Sequence, residues 1–379
     1  MQLASSGMSQ LAMAGMLAGK YLDSNPDAIA DLPDFINKTP PEFDRIKAKK
    51  FTPAQQNHIG TIHSRGKRKS IALKNAADWF LEAAKAGDAI AQYNLAGLYY
   101  HGEGGKTQNY NEAAKWVKLA ADQGLALAQN ALGFSYRKGQ GVEQDYVQAK
   151  FWFDKAIEQG LAVAKWCLGV MYESGEIDGI NYRKAFELFS EAADENCLEA
   201  INNLGAMYYN GDYVKRDFNK AAEYFRKTAM ENFAEGQCCL GMMLLNGSLG
   251  NIDKIEAMSW LKKSAAQGDK MAEFAMNADL SPIIIDEFDS KGKKIAAKSK
   301  FELYPALRNS VNEDGEIHYY LLDNSLGLRV WAESRDELIA TIKEDLDFIW
   351  GVYAKAKDAE LTTESIDKKN LLLATFSEE

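Results

Sequence analysis

The chain has 379 residues, of which 46% are hydrophobic, and 44 Lys and Arg against 54 Asp and Glu give a formal net charge of -10. This apolar fraction is sufficient for a folded core, and the acidic balance argues against a nucleic-acid-binding protein. No run reaches the roughly 18 apolar residues that a membrane-spanning helix needs. The four cysteines share no common spacing, which is typical of reduced, buried thiols in the cytoplasm.

The beginning of the chain is apolar but differs from a secretion signal. No basic residue precedes residues 11–19, and Leu17-Ala18-Gly19-Lys20-Tyr21 aligns with a later phrase, Leu95-Ala96-Gly97-Leu98-Tyr99. Residues 1–19 are therefore predicted to form the first helix of a repeat array. Residues 20–75 are predicted to interrupt the array as an inserted arm, because five of the seven prolines lie there.

The arm carries 11 Lys and Arg against 6 Asp and Glu, a local net charge of +5. Its cluster of Arg65, Lys67, Arg68 and Lys69 has the charge that nucleic-acid binding requires. A short solvated loop is the commoner explanation of such a cluster, and the whole chain is acidic. Nucleic acid is therefore not expected as a partner.

From residue 76 to residue 280 one phrase recurs at a near-fixed interval of 36 residues. A Leu-Gly or Leu-Ala step is followed by a tyrosine or leucine and then by a glycine. The leucines of this step are Leu95, Leu132, Leu168, Leu204 and Leu240. A period of this length indicates a stacked array of helix pairs.

Residues 124–160 show how one repeat is built. With Gly124 counted as position zero, Ala128, Leu132 and Tyr136 lie at positions four, eight and twelve, so they form one buried helical stripe. Gly139 is predicted to end this first helix, and Asp145 to cap a second, antiparallel one.

Two further positions of the repeat are predicted to serve packing. Gly133 leaves room for the second helix to approach closely. A second register consists of Trp79, Trp116, Trp152, Leu188, Tyr224 and Trp260. Because Trp116, Trp152 and Trp260 recur in phase, they are predicted to be core residues whose truncation to alanine costs about 3 to 5 kcal/mol.

These residues resemble the Sel1-like repeat family, whose repeats also contain Leu-Gly, a tyrosine, glycines and a second helix that ends in Ala-Ala-x-x-Gly. One copy of the closing phrase reads Ala120-Ala121-Asp122-Gln123-Gly124. The pattern departs where Asn196 and Asn232 replace the closing glycine, but asparagine also tolerates the left-handed conformation. The resemblance implies an α-solenoid that scaffolds or sequesters protein partners, without catalysis and without a cofactor.

Residues 281–379 lack the repeat and are predicted to form a small α+β domain. Three strands are expected, at Phe301–Arg308, Glu316–Asp323 and Leu326–Ala332, with a hairpin turn at Asn312–Gly315. Ser334–Glu337 is a capping box that opens a helix, and a second helix starts near Thr362 or Thr363. The predicted fold class is thus mainly α, an α-solenoid followed by a small α+β domain.

The end of the chain is its most acidic part. From Asp279 onward 13 basic residues stand against 21 acidic ones, a net charge of -8. This domain is therefore predicted to add a second contact surface for a partner.

Few residues suggest catalysis. Gly102–Thr107 resembles a phosphate-binding loop, but Tyr100 stands where that motif needs its first glycine, and a helix rather than a strand precedes it. His58, His63, His101 and His318 are scattered and do not have the spacing of a metal site. The sequence predicts no catalytic, metal or cofactor site.

Positions six and thirteen of the first helix vary from repeat to repeat and lie about 120 degrees from the buried stripe. Large aromatic residues and arginine there are typical of protein interfaces. The predicted partner-binding residues are Tyr93, Tyr100, Asn130, Arg137, Trp166, Glu173, Asn202 and Tyr209. The alternative is that these residues pack against the neighbouring repeat or under the arm.

The preferred hypothesis is a cytoplasmic, non-enzymatic interaction protein that binds another protein through the solenoid face. One specific form is an immunity or antitoxin-like inhibitor, since acidity accelerates capture of a basic toxin. An adaptor for a signalling or stress-response complex is the alternative within this class. An enzyme with its site in the C-terminal domain and the solenoid as substrate receptor is the alternative from another class.

Overall fold

The computed structural model describes residues 48–64, 69–281, 283–290, 293–298, 302–309, 317–323, 328–354, 356 and 363–378. Two compact bodies divide the chain between Glu195 and Asn196. We call the described residues up to Glu195 the N-terminal body and those from Asn196 the C-terminal body.

The helices of the N-terminal body form four antiparallel pairs, α1–α2, α3–α4, α5–α6 and α7–α8. Their bounds are α1 Pro53–Ser64, α2 Lys69–Lys85, α3 Ala89–His101, α4 Tyr110–Asp122, α5 Ala126–Lys138, α6 Tyr146–Ile157, α7 Ala162–Glu173 and α8 Tyr182–Asp194. The C-terminal body continues with α9 Leu198–Asn210, α10 Phe218–Met230, α11 Ala234–Asn246, α12 Lys254–Ala265 and the short α13 Lys270–Ala275. The predicted solenoid of helix pairs is confirmed.

A side-chain cap fixes the start of each second helix from α4 to α12. Asp145 accepts hydrogen bonds from the backbone N–H groups of Val147 and Gln148, both at 2.9 Å, as the sequence predicts. The equivalent caps are Asn109, Asn181, Asp217 and Asp253. A cap satisfies N–H groups that have no partner within the helix, so each second helix begins at a fixed place.

Left-handed residues end the helices. Gly139 caps α5 with a φ of 68°, as predicted. Asn196 and Asn232, which replace the closing glycine of the repeat, both have a φ of 59°. Asparagine therefore adopts the left-handed conformation in place of glycine at these two positions, as the sequence predicts.

The glycine of each Leu-Gly step lies against an aromatic or leucine side chain of the second helix. A Cβ atom at Gly133 would lie 2.8 Å from the ring of Phe153, and one at Gly169 would lie 2.6 Å from the ring of Phe189. The α3–α4 pair has Ala96 instead of glycine, and the residue in phase with Phe153 is then the smaller Val117. This glycine or alanine is at position nine of the repeat. Its volume and that of the facing side chain on the second helix therefore add up to a roughly constant total, as close packing requires.

From α4 to α12 the fully buried residue of each second helix stands one place after the predicted one, whereas on α2 the predicted Trp79 is itself buried. Val117, Phe153 and Leu261 are at most 1% exposed, whereas the preceding Trp116, Trp152 and Trp260 are only partly buried. Trp116 and Trp260 pack against the hydrophobic core but stay partly exposed, so the predicted full burial of these three tryptophans is wrong. The indole lies at the margin of the core and keeps part of its surface exposed. The next side chain, such as Phe153 or Leu261, contacts the glycine of the first helix.

The array begins earlier than the predicted boundary at residue 76. Pro53–Ser64 forms α1 and pairs with α2, so this part of the predicted arm belongs to the repeats. Gly60 of α1 contacts Phe80 of α2 as Gly133 contacts Phe153. The predicted first helix at residues 1–19, the rest of the arm up to residue 47, and Arg65, Lys67 and Arg68 lie outside the described residues.

Strands follow the last helix pair, in more sheets than the sequence predicts. Their bounds are β1 Ile283–Ile284, β2 Glu287–Ser290, β3 Lys293–Ala297, β4 Glu302–Leu303, β5 Ala306–Asn309, β6 Ile317–Asp323, β7 Leu328–Ala332 and β8 Phe376–Glu378. The predicted antiparallel sheet is present as β5-β6-β7. A second sheet, β2-β3-β8, and the short pair β1-β4 were not predicted. The predicted turn at 312–315 lies outside the described residues.

Two helices complete the C-terminal body. Ser334 caps α14 (Arg335–Ile349) by accepting the backbone N–H of Glu337, which confirms the predicted capping box. A short π-helical segment, Trp350–Ala354, follows α14, and α15 spans Thr363–Thr375. Buried side chains from Ala206 to Phe376 form one continuous hydrophobic core. The last repeats and the strands therefore share one hydrophobic core instead of having two separate ones.

Candidate partner-binding surface

The eight residues predicted to contact a partner are buried. The most exposed of them, Tyr209, has 7% of its surface exposed, and Asn130 and Asn202 have none. Tyr93, Tyr100, Arg137, Trp166 and Glu173 are between 1% and 6% exposed. These side chains leave little surface for a partner, so their direct contact with one stays a prediction.

Residues at position thirteen join neighbouring repeats. The Tyr100 hydroxyl donates to Gln140 Oε1 at 3.0 Å, and burial raises the pKa of Tyr100 to about 12. One repeat later, Arg137 Nε and Nη2 donate to the two carboxylate oxygens of Glu176 at 2.6 and 2.9 Å. Gln140 and Glu176 are both at position sixteen of the following repeat. The side chain at the variable position thirteen therefore has a hydrogen-bonding partner of suitable chemistry at position sixteen of the next repeat.

The C-terminal body has a related contact at position thirteen. The amide of Asn246 donates to the Tyr209 hydroxyl at 2.8 Å and to the carbonyl of Pro305 at 3.2 Å. Burial raises the pKa of Tyr209. Tyr209 therefore helps to fix the last repeats against the segment between β4 and β5.

Two first helices also touch one another, position six of α1 against position seven of α3. The amide of Asn94 donates to Asn57 Oδ1 at 3.0 Å, and Asn57 stands in α1 where Asn130 stands in α5. This contact favours the packing alternative for the position-six residues Tyr93, Asn130 and Trp166.

Position five makes a third recurring contact, which joins the two helices of a single repeat. Gln92 accepts from Gln123 at 2.8 Å, and Gln129 accepts from Gln159 at 2.7 Å. In the next repeat Lys165 donates to Glu195 at 3.0 Å in the same place. An amide pair is thus exchanged for an ion pair, and variation between repeats again reflects a matched contact.

The second helices have an exposed stripe of side chains that also differs between repeats. We call the positions of Val147, Phe151 and Lys155 on α6 the outer stripe, since residues four apart share one helix face. On α8 the outer stripe is Arg183, Glu187 and Glu191, with an ion pair between the first two at 3.0 Å. On α6, Val147 is 76% and Phe151 46% exposed.

Apolar side chains on the outer stripe of α6 are not explained by the core, which Ala149, Phe153 and Ala156 occupy from the opposite side. The Lys155 ammonium lies 5.1 Å from the centre of the Phe151 ring. A contact of this kind contributes about 0.5 to 1 kcal/mol at an exposed site. The sequence contained this signal, because Val147 and Phe151 stand where α8 has Arg183 and Glu187, but burial had to be known before the stripe could be found.

The described residues offer little chemistry. No group of three or more His, Cys, Asp and Glu side chains among them could hold a metal ion. None of the four cysteines, all among the described residues, forms a disulfide and all are buried, as predicted, and burial raises the pKa of the Cys238 thiol well above its usual range. A buried, protonated thiol is a poor nucleophile.

The glycine-rich loop after α3 serves packing. A Cβ atom at Gly104 would lie 2.7 Å from the carbonyl oxygen of Leu73, so this glycine lets the loop lie directly on α2. The comparison with a phosphate-binding loop fails for this geometric reason as well. No helix among the described residues is long and apolar enough to cross a membrane.

The repeats have a known counterpart in sequence. The Sel1 repeat matches six consecutive segments, 56–88, 89–125, 126–161, 162–197, 198–233 and 234–269, which together exceed half of the chain. The chain belongs to the Sel1 repeat family. Each matched segment covers one helix pair from α1–α2 to α11–α12. Proteins built from Sel1 repeats generally mediate protein–protein interactions.

Several solved structures resemble the chain in part. A Sel1 repeat protein from Oxalobacter formigenes is 29% identical with a TM-score of 0.50, and the match covers 61% of this chain and 66% of that one. A protective antigen with an SLR fold from uropathogenic Escherichia coli is 27% identical with a TM-score of 0.42, over 61% of this chain and 57% of that one. An immunity protein from Pseudomonas aeruginosa is 16% identical with a TM-score of 0.41, and the match covers 60% of this chain and 84% of that one. No curated protein matches the chain in sequence.

Proposed function

We propose that this Sel1 repeat protein is a non-enzymatic scaffold that binds another protein through the outer stripe of α6. The supporting observation is the exposure of Val147 and Phe151 at places where α8 carries an ion pair. Removing a large apolar side chain from water stabilises a complex by about 1.5 to 3 kcal/mol. Two such residues one helical turn apart form an anchor of the kind that dominates protein interfaces.

The specific form that we propose is an immunity or antitoxin-like inhibitor that sequesters a basic toxin in the cytoplasm. The net charge of -10 supports it, because an acidic protein attracts a basic partner over long range and so raises the association rate. An adaptor for a signalling or stress-response complex is the second candidate. It shares the same surface but predicts several partners instead of one.

Affinity capture from the native host tests the proposal. The wild-type chain is expected to recover a protein that the Val147→Ala, Phe151→Ala double variant loses. Trp331→Ala is the control, since Trp331 is also exposed, at 65%, but lies on β7 outside the solenoid helices. Equal recovery by the double variant and the wild type would show that α6 is not the site.

The identity of the captured protein separates the candidate functions. A single basic partner whose activity the chain inhibits supports the immunity form. Recovery of several housekeeping complexes supports the adaptor. Turnover of the captured protein by the chain would favour the enzyme hypothesis, in which the solenoid receives a substrate.

A further inference from the structure

The outer face of helix α14 carries an apolar side chain that the described residues leave exposed. Leu338, Ile342 and Leu346 have no exposed surface and Ile349 has 8%, so the inner face of the helix is fully packed. Phe348 points the other way and is 71% exposed. Val352, one turn further on in the π-helical segment, is 43% exposed.

Acidic side chains precede these two apolar residues on the same face. On a helical wheel Glu337, Glu344 and Asp345 all lie within about 60 degrees of Phe348. Glu337 and Glu344 are exposed and Asp345 is partly buried. The outer face is therefore acidic along the helix and apolar at its C-terminal end.

The charge of this face is not neutralised by neighbours on its own helix. Residues 333–347 contain six acidic and two basic residues, a net charge of -4. One of the two cations, Arg335, is engaged elsewhere: its Nε lies 3.3 Å from Asp279, and it donates to the carbonyl of Ser281 at 2.8 Å. Burial, with a smaller effect of the neighbouring Glu344, raises the pKa of Asp345. A cation brought to this face would relieve that repulsion.

We propose that the outer face of α14 is a second docking surface, which takes a basic amphipathic helix of a protein partner. An apolar side chain of that helix would cover Phe348 and Val352, and lysine or arginine one to three turns away would meet Glu344, Asp345 and Glu337. Charge complementarity selects this occupant, because a purely apolar or acidic segment would bury Phe348 but leave the carboxylates unpaired. This surface lies in the C-terminal body and does not depend on the outer stripe of α6.

A synthetic peptide provides the probe. It is a fluorescent helical peptide with leucine on one face and lysine on the other, titrated with the full-length chain and followed by anisotropy. One companion peptide carries glutamate in place of lysine, and another carries alanine in place of leucine. The expected result is saturable binding of the lysine–leucine peptide alone, weakened by salt because the Debye length falls from about 10 Å at 0.1 M to about 3 Å at 1 M.

Two variants and a control locate the binding. Phe348→Ala is expected to weaken binding about tenfold or more, as for an interface anchor. Glu344→Lys is expected to weaken it mainly at low salt, since it reverses one exposed charge. Trp331→Ala is the control, because Trp331 is a 65% exposed aromatic residue on β7 of the same body. Far-ultraviolet circular dichroism confirms that each variant is folded.

Three results would overturn the proposal. The first is wild-type affinity in both Phe348→Ala and Glu344→Lys. The second is equal binding of the glutamate–leucine peptide, which would make the face merely apolar. The third is a wild-type dimer in sedimentation that Phe348→Ala converts to monomer, because the occupant would then be a second copy of this chain.

Discussion

Replacing Glu176 by glutamine removes the counterion of a guanidinium group that the array buries. The Arg137 side chain is 4% exposed and Glu176 is 17% exposed, and two charge-assisted hydrogen bonds join them. Glu176→Gln keeps the shape of the side chain but leaves the cation without a negative partner. Loss of one partner of a buried pair costs about 3 to 5 kcal/mol. Since water reaches Glu176 in part, the expected loss is near the lower end, about 3 kcal/mol.

The same chain shows how the contact can be repaired. Tyr100 and Gln140 occupy the places of Arg137 and Glu176 one repeat earlier and form a neutral hydrogen bond of 3.0 Å. The double variant Arg137→Tyr, Glu176→Gln reproduces that pair. It is expected to be about 1 to 2 kcal/mol more stable than Glu176→Gln, because no unpaired charge is buried.

Urea unfolding followed by circular dichroism gives the overall change in stability. Amide hydrogen exchange of α5 and α7 is the second measurement, since a repeat array need not unfold in one step. Lys118→Gln is the control, because the Lys118–Asp122 pair is exposed and contributes at most about 1 kcal/mol. The reasoning is refuted if Glu176→Gln unfolds like the wild type, or if the double variant is no more stable than the single one.

Three further outcomes are expected. Trp166→Ala should destabilise the chain by about 3 to 5 kcal/mol and Trp116→Ala by less, because only Trp166 is fully buried; unchanged stability with lost partner binding in Trp166→Ala would instead support the predicted partner contact. Gly169→Ala should cost about 1 to 3 kcal/mol by overpacking, and Phe189→Val should restore part of it; no recovery in urea unfolding would contradict the volume argument. Burial raises the pKa of Glu235 from 4.5 to about 7, so the folded state holds this proton more tightly than the unfolded one. The resulting stability is present below about pH 4.5 and lost as the pH rises to about 7. Glu235→Gln should flatten this decrease, which unfolding midpoints at several pH values would reveal.

Features set by short-range chemistry were predicted correctly. The cap at Asp145, the left-handed Asn196 and Asn232 and the capping box at Ser334 each depend on residues a few places apart. Such contacts recur with the repeat, so a periodic sequence displays them several times. The helix pairs and their order follow from them.

The candidate site was less predictable, because variation between repeats was interpreted as freedom from packing. Tyr100 with Gln140 and Arg137 with Glu176 are different chemical solutions to one structural requirement. Each partner stands about 40 residues away in sequence, so no local pattern reveals the pairing. Only the contact itself distinguishes a matched position from a free one.

The second sheet escaped prediction for a related reason. Ile295 of β3 pairs with Glu378 of β8, at the other end of the C-terminal strands and helices. Strands this short have no alternation to detect, and their pairing depends on a contact of long sequence separation. The sheet β5-β6-β7, whose strands follow one another, was predictable.

The contacts between position thirteen and position sixteen give two junctions of the array different chemistry. If the 126–161 repeat were lost by recombination, Arg137 would be lost with it, and Tyr100 would face Glu176. The partly buried Glu176 carboxylate would then face a hydroxyl instead of a guanidinium group. These repeats of the chain are therefore similar in backbone but not interchangeable.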